Sequence, residues 1–461
     1  MVSFFRYCFF GTFSLALVAC DQAGVSLLKA TQLTPLSVAS AGEGPKKTSP
    51  SPVPDLNSLI KGSRKKVRLG SDFAAVMLKA IDQDPAVLSA KNEVAVSKAK
   101  LRNTESGGDI TFNATVLGGI EDITDETAGV AAILTANRLL YDGGMLASKI
   151  EADTALSKAS EQAYLAMRGS RAVNLAHSWI ELERYRSLKT LISSRLAVLD
   201  PLLLQLEKVA SAGVGDVSQV ASAQRIVSSI LVAETDIISR YEQAKIAFVS
   251  DFGGLPLTVN YDPSLVTKVV PKSTVKELAS NSPMLLARYW AYRAAEASVL
   301  AIQAQDEFNV GFKAQLQRPF GGSGANSDES VGLVISKNLY QGDLLESQID
   351  QAKSTAQAKA AQVFVGYQQG ERTIQTAREV IKSMGKAVVL ARRNVEISRE
   401  ETAYLKKQLI IGGSTLESVL SAEARLYDAE SQEIGFVSER RKAEATIVAL
   451  SGYFETVLRP N

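Results

Sequence analysis

The sequence predicts a mainly α-helical fold with a smaller β portion, built from two copies of one unit. The long middle segments are filled by Ala, Ser, Gln, Lys, Arg and Glu, residues that favour long helices. Short runs between these segments alternate apolar and polar residues, the period of a β-strand. The same order of parts occurs at 71–256 and at 274–456, which indicates an internal duplication. A linker at 257–273 joins the copies, and a short tail follows at 457–461.

The N-terminus is typical of a secretory signal. Arg6 supplies positive charge and an apolar stretch follows it, so residues 1–19 are predicted to be removed. The segment ends in Leu-Val-Ala before Cys20, which resembles a bacterial lipobox and predicts a lipid-modified cysteine. Asp21 resembles an inner-membrane retention signal of enteric bacteria, so its effect on membrane sorting stays open. Residues 20–70 are rich in Pro, Ser, Gly and Lys and are predicted to be a flexible tether.

Composition argues against several classes of function. The net charge of +2 is too small to indicate a nucleic-acid partner. The two cysteines, Cys8 and Cys20, both belong to the targeting region, and His177 is the single histidine. We therefore predict no metal site, no cofactor and no catalytic nucleophile–base pair, so the protein is not expected to be an enzyme. No apolar run of about 20 residues follows the N-terminus, so no transmembrane helix is expected there.

Each copy begins with an amphipathic helix and continues into a pair of strands. The helices are predicted at 71–104, with Asp84-Pro85, and at 274–305, with Ser282-Pro283. The strands are predicted at 110–117, 130–140, 308–317 and 331–336. Runs of this kind fit transmembrane barrel strands and also fit a soluble sheet. In a barrel, the apolar set of the third strand would face lipid: Phe308, Val310, Phe312, Ala314 and Leu316. Two strand pairs are too few to close a barrel, so closure would need further protomers.

A matching motif is expected to end the second strand of each pair. The first motif is Leu-Tyr-Asp-Gly-Gly at 140–144, which contains Tyr141, Gly143 and Gly144. The second is Leu-Tyr-Gln-Gly-Asp at 339–343, which contains Tyr340 and Gly342. Very long helices are predicted to follow, at 145–210 and 344–410, and about 1.5 Å per residue gives each roughly 100 Å. The first has an apolar seam of coiled-coil type, with a kink or break expected at Pro201. The seam consists of Leu188, Ile192, Leu196, Leu199, Leu203 and Leu206.

Both long helices end at glycine turns. The first turn contains Gly213, Val214, Gly215 and Asp216, and the second contains Gly412, Gly413, Ser414 and Thr415. Return helices are predicted at 217–252 and 416–454. Each turn is therefore expected to be the distal tip of a helical hairpin, where glycine supplies backbone angles that other residues disfavour.

These motifs resemble the TolC family of outer-membrane efflux proteins. The paired Leu-Tyr-x-Gly motifs are similar to its strand-to-helix junctions, and the glycine turns are similar to its periplasmic hairpin tips. The resemblance covers about residues 71–454, and the ordered duplication is its most specific part. It implies a homotrimer in which each protomer gives four strands to one barrel and long periplasmic helical hairpins form a tube.

The resemblance also implies partners and a gate. A periplasmic adaptor would dock at the tips, an inner-membrane transporter would supply substrates, and outer-membrane lipid would surround the barrel. Several family members carry two aspartates after the second tip, and the matching positions here are Ser418 and Ser421. Glu417 and Glu423 lie nearby, so Glu417, Ser418 and Ser421 are the gate candidates and the selectivity of the gate is left open.

Four functions remain open at this stage. One is a diffusion porin, which would need many more strands than four per chain and less helix than this sequence predicts. An efflux channel of a tripartite system fits the lipid anchor and the duplicated strand pairs. An exit duct for type I secretion of protein or polysaccharide would use the same fold. A periplasmic coiled-coil adaptor would explain the helical hairpins and leave the strand pairs unexplained.

Overall fold

The computed structural model of the chain describes residues 73–120, 128–211, 217–255, 273–320, 328–452 and residue 454. Several sequence predictions lie outside these residues: the signal peptide at 1–19, Cys20 and its tether, and the tail at 457–461. The same holds for the first tip (Gly213, Val214, Gly215 and Asp216) and for all of the 257–273 linker except its last residue.

The described residues form the same series of elements twice. The first series is α1 (Phe73–Asp82), α2 (Pro85–Glu105), a 3-10 turn (Ser106–Gly108), β1 (Thr111–Ile120), β2 (Ala128–Tyr141), α3 (Met145–Ser211) and α4 (Val217–Phe252). The second is α5 (Val275–Ser280), α6 (Pro283–Gln303), a 3-10 turn (Ala304–Asp306), β3 (Asn309–Phe320), β4 (Asp328–Ser336), α7 (Leu344–Ile410) and α8 (Leu416–Leu450). Helices α2 and α6 have 21 residues each, and α3 and α7 have 67 each, so the copies match in detail.

The single helices predicted at 71–104 and 274–305 are each divided in two, so that prediction was wrong. Proline at the first position of α2 and α6 lacks the N–H that would continue a preceding helix. Asp84 instead starts α2 by accepting hydrogen bonds from the backbone N–H groups of Ala86 and Val87, at 2.9 and 3.3 Å. The divided form lets α1 turn its apolar side towards the helical core.

Helix α3 continues through Pro201, so the predicted break there is absent. Proline removes one backbone donor, which costs an isolated helix about 3 kcal/mol. Leu199 and Leu206, on either side of Pro201, are buried in the cluster that joins α3 to α4 and α8. Tertiary packing therefore holds the helix together across the proline. The rest of the predicted leucine seam lies in the same cluster.

A second core lies farther along the helices and is centred on Trp179 of α3. The Trp179 ring meets the rings of Phe73, Phe248 and Phe252 edge-on, with centroids 5.0 to 5.4 Å apart. Residues of α1, α4 and α8 complete this cluster. The core therefore depends on elements from both copies.

The long helices of the two copies are interleaved. Helix α3 packs against α2, α4, α6 and α8, and α7 packs against α6 and α8. None of the helices within the described ranges combines the length and the apolar character needed to cross a membrane.

Candidate functional site

The strands form one antiparallel sheet in the order β1-β2-β3-β4, so β2 and β3 join the two copies at its centre. Directly paired residues in antiparallel strands place their side chains on the same face. The register pairs Phe112 with Ala136, Ala136 with Ala314, and Ala314 with Val331. One row of apolar side chains therefore runs across all four strands.

The rows on either side extend this apolar face. Alternation along each strand adds residues two positions away, and these are again mostly apolar. The face contains Phe112, Ala114, Val116, Ala132, Leu134, Ala136, Phe312, Ala314, Leu316, Val331, Leu333 and Ile335. The side chains on β1 and β4 are largely open in the single chain: Phe112, Val116, Val331 and Ile335 are each at least 70% exposed.

The opposite face of the sheet is polar. Asn113 pairs with Thr135, Thr135 with Gln315, and Gln315 with Ser330. The next row carries Thr111, Asn137 and Lys313. The sheet thus separates an apolar surface from a polar one, as a wall between lipid and water would require.

The outer strands β1 and β4 each have one neighbour in the described sheet. All nine residues of β4 are exposed. An edge of this length offers unpaired backbone N–H and C=O groups to another chain.

The junction after β2 holds three of the predicted residues. Tyr141 is the last residue of β2 and pairs with Val310. Buried Asp142 accepts hydrogen bonds from the N–H groups of Gly144 (3.1 Å) and Leu146 (2.6 Å), which starts α3. Gly143 has φ +66°, and a Cβ atom there would lie 2.3 Å from Cβ of Glu307. Glycine is needed at 143 for both backbone angle and space.

The junction after β4 differs from the predicted arrangement. Strand β4 ends at Ser336, so Tyr340 lies outside the strand that it was expected to end. Tyr340 and Leu339 are 91% and 90% exposed. The reason lies in the pairing: Tyr141 is held by β3, whereas β4 is an edge strand whose last partner is Asn309. Gly342 keeps a positive φ of 60°, like its counterpart in the first junction.

The second predicted tip is the turn between α7 and α8. Gly412 has φ +77°, its N–H donates to the carbonyl of Leu409, and the Gly413 N–H donates to the carbonyl of Gln408. This is the Schellman pattern that ends a helix at glycine. Ser414 Oγ donates to the Leu405 carbonyl at 2.8 Å, which folds the turn back on α7.

The gate candidates lie at the start of α8. Thr415 caps this helix by accepting the N–H of Ser418 at 3.1 Å, and the two hydroxyl groups are 2.8 Å apart. Glu417, Ser418 and Ser421 are all partly exposed in the single chain. Ser418 therefore takes part in the helix cap, whatever it contributes to a gate.

Glu423 is fully buried and belongs to an ion-pair network that the sequence did not reveal. Its carboxylate pairs with Arg195 of α3 at 2.5 Å and with Lys406 of α7. Arg195 also pairs with Glu430, at 2.6 Å, and Glu430 binds Arg399 at 3.0 Å. The seven-residue spacing of Glu423 and Glu430, which puts both on one face of α8, was the signal available in the sequence.

His177 of α3 faces α8. Its Nε2 lies 3.2 Å from both the Lys442 carbonyl oxygen and the Thr446 hydroxyl oxygen. Burial is the largest effect and lowers the pKa of His177, and the positive charge of Lys442 lowers it further. The hydrogen bond to the Lys442 carbonyl and the carboxylates of Glu439 and Glu181 act in the opposite direction. Among the described residues, no three His, Cys, Asp or Glu side chains are grouped to hold a metal ion.

Exposed apolar side chains also run along the outer helices. On α7 and its C-cap they recur every seven residues: Leu390, Ile397, Tyr404 and Ile411, each at least 54% exposed. Helix α4 carries its own exposed set, Leu231, Val232, Ile238, Ile246 and Val249. Apolar residues at a seven-residue spacing are typical of one position in the packing seam of a coiled coil.

No family model and no curated protein matches the sequence, but solved structures match the fold. A membrane protein from Pseudomonas aeruginosa superposes with a TM-score of 0.73 at 16% identity, over 82% of this chain and 90% of that one. The outer membrane protein VceC from Vibrio cholerae gives 0.70 at 17% identity, over 82% and 95%. The outer-membrane channel OprN gives 0.70 at 19% identity, over 85% and 94%. The chain therefore shares the TolC-type fold of these structures, mainly helical with a four-stranded sheet, as its sequence predicts.

Proposed function

We propose that this chain is the outer-membrane channel subunit of a tripartite efflux system and works as a homotrimer. The observation that carries the proposal is the division of the sheet into one apolar and one polar face, on strands that continue into helices of about 100 Å. A sheet of this kind can face lipid on one side and a water-filled lumen on the other.

The four strands explain why three copies are needed. A four-stranded sheet is too narrow to close on itself, and unpaired edges are not tolerated in lipid. Three protomers would supply twelve strands, with β4 of each protomer pairing with β1 of the next. Every edge would then be satisfied, because the backbone groups of β4 would be paired, and Tyr340 would be covered.

The long helices would continue the channel into the periplasm. The apolar stripe on α7 and the exposed apolar residues on α4 belong to the outermost helices of the series α4-α3-α8-α7. In a ring of protomers, α7 of one copy would meet α4 of the next, and the two sets would bury each other. This pairing supports a trimer along the helical part as well as in the sheet.

The tips would face away from the outer membrane and dock a periplasmic adaptor, which links the channel to an inner-membrane transporter. The exposed turn at 412–415 supplies one docking surface, and the turn at 213–216 is proposed to supply the other. Glu417, Ser418 and Ser421 are proposed to line the closed end. Lipid attached at Cys20 would add an anchor in the outer membrane.

Of the other functions, an adaptor role is disfavoured by the two-faced sheet, which such a scaffold does not need. Type I export of protein or polysaccharide uses the same channel architecture and differs in its cargo. The efflux function is preferred because the lipid attachment expected at Cys20 is similar to that of channels that work with drug or metal pumps.

The test has two parts. The purified protein should run as a complex of three chains and should open ion-conducting pores in a planar lipid bilayer. Cells that lack the gene should accumulate small toxic compounds and should keep normal secretion of large proteins. A monomer that opens no pores would contradict the channel, whereas lost secretion with unchanged drug sensitivity would favour the export function.

A further inference from the structure

We propose that the end of the apolar sheet face nearest the long helices binds the headgroup of an anionic phospholipid, with Arg138 as the contact residue and Lys337 as a further cation of the same membrane–water interface. The inference rests on the proposed function, since it requires the apolar face to lie in the outer membrane. It adds a specific lipid partner and the residues that would recognise it.

Arg138 is one of the few charged residues on the apolar face. The register pairs it with Phe312, and Phe312 with Leu333, so its side chain belongs to the lipid-facing set. Arg138 is exposed. Within the part of the chain that the structure describes, no carboxylate lies within ion-pair distance of it. A cation placed at a lipid surface needs a counter-charge, because a charged group in hydrocarbon is strongly disfavoured.

At the other end of the same face, a cation is neutralised by a carboxylate of the same chain. Arg318 is also on the apolar face, paired across the strands with Ala132, and its guanidinium forms an ion pair with Glu329 of β4. The far end therefore neutralises its cation within the protein. At the near end, the guanidinium of Arg138 can instead pair with an anion from outside the chain.

Lys337 adds a second cation at the near end. It follows the last residue of β4, and its Nζ lies 5.8 Å from the centre of the exposed Phe308 ring. Aromatic rings beside cations are typical of the membrane–water interface, where the ring meets acyl chains and the cation meets headgroups. Tyr141, also exposed, lies at the same junction end.

The chemistry of these groups points to a phosphate on a lipid. A guanidinium presents a planar fork of N–H donors that matches two phosphate oxygens. The neighbouring apolar side chains, Phe312, Leu333 and Ile335, suit the acyl chains of the same molecule. Because the junction end leads into the periplasmic helices, the headgroup belongs to the periplasmic leaflet, which is built of phospholipid.

The test uses the purified full-length assembly in detergent and native mass spectrometry with added phosphatidylglycerol. Arg138→Gln is expected to weaken binding about tenfold, the loss of one charge-assisted hydrogen bond. Arg138→Lys keeps the charge and loses the fork, so its binding should lie between that of the unchanged protein and that of Arg138→Gln. The matched control is Lys313→Gln, which removes another exposed cation one row away on the polar face, and it should change binding by less than about twofold.

The outcomes separate this inference from the proposed function. If the trimer forms pores but Arg138→Gln and Lys313→Gln weaken lipid binding equally, the headgroup site is refuted and the channel stands. The site is likewise refuted if lipid A, which carries phosphates but belongs to the outer leaflet, binds more tightly than phosphatidylglycerol in an Arg138-dependent way. If the protein neither trimerises nor conducts, the proposed function itself fails.

Discussion

Adjacent residues on β3 meet opposite environments in the proposed assembly. Ala314 lies between Ala136 and Val331 on the apolar face, whereas Gln315 lies between Thr135 and Ser330 on the polar face. The two positions share strand, depth and partial burial and differ in the face they occupy. They therefore form a matched pair for testing which face meets lipid.

We expect Ala314→Arg to cost about 2–4 kcal/mol of stability in the membrane, because arginine near the bilayer midplane must be taken out of water. Gln315→Arg should cost little, since it faces the lumen. The amount of folded, heat-modifiable trimer in outer-membrane preparations measures both. Equal loss for the two variants would contradict the face assignment. Phe312, the more obvious choice from sequence, is less informative because the register places it beside Arg138 near the end of the apolar band.

We expect His177 to make the contact between α3 and α8 sensitive to acid. Burial lowers its pKa in the folded protein below the ordinary value of about 6.5, so the unfolded chain binds the proton more tightly. The contribution of neutral His177 to the free energy of unfolding should therefore be fully present above about pH 6.5 and should be lost as the pH drops below it. The apparent melting temperature should decrease between pH 7.5 and 5.5, and by less in His177→Gln. An unchanged decrease in that variant would assign the acid sensitivity to other groups.

At the scale of elements, the buried ion-pair network joins three helices near the second tip. Removing Glu423 leaves Arg195 and Lys406 without their shared carboxylate. We expect Glu423→Ala to destabilise the protein by about 1–3 kcal/mol, because the largely buried Arg195 loses one of its two carboxylate partners and keeps only Glu430. The control Glu401→Ala breaks the exposed pair with Arg425 and should cost about 0.5 kcal/mol. Thermal unfolding of the two variants checks this, and similar melting temperatures would show that the network adds no stability.

The tip between α7 and α8 supplies a second element-scale prediction. Gly412 has a positive φ, so Gly412→Val should strain the turn by about 1–3 kcal/mol and reshape the proposed docking surface. We expect trimers at normal levels together with reduced efflux and reduced crosslinking to an adaptor. Gly385→Val lies inside α7, where a Cβ would meet no neighbour within 4 Å, and should leave efflux intact. Equal effects of both variants would argue against docking at the tip.

Element order was predictable because it depends on local patterns. The long helices end within one residue of their predicted limits, since glycine turns and helix-favouring residues act over a few positions. Strand existence was predictable from alternation, although β1 and β3 extend three residues beyond the predicted ends. The division of each first helix was missed although its cause is local, a proline at the first position of α2 and of α6. The continuity at Pro201 was missed because it depends on packing against α4 and α8.

The residues of the candidate site were only partly predictable. The glycines with positive φ at 143, 144, 342 and 412 were predicted, because a turn that needs a positive φ favours glycine in the sequence. The position of Tyr340 outside β4 and the burial of Glu423 were not predicted, since both depend on partners distant in sequence. Arg138 was missed for the same reason, because its face is defined by the register with β3.

At the scale of the whole molecule, the single chain exposes surfaces that three copies would cover. The edge strands, the open residues Leu339 and Tyr340, and the apolar stripes on α4 and α7 all lie where a neighbouring protomer is proposed to pack. One assembly would account for each of them. The central claim is therefore that the sheet becomes the wall of a trimeric channel, with its apolar face in lipid.

Labelling of single cysteines along β4 in outer-membrane vesicles tests this claim most directly. Cys8 and Cys20 are the only native cysteines, which gives a clean background. In the single chain every residue of β4 is exposed, so a water-soluble maleimide would label all positions alike. The proposed channel predicts alternation: strong labelling at Ser330, Gly332 and Val334, and protection at Val331, Leu333 and Ile335 until detergent is added. Uniform labelling, or protection with the opposite alternation, would contradict a transmembrane wall.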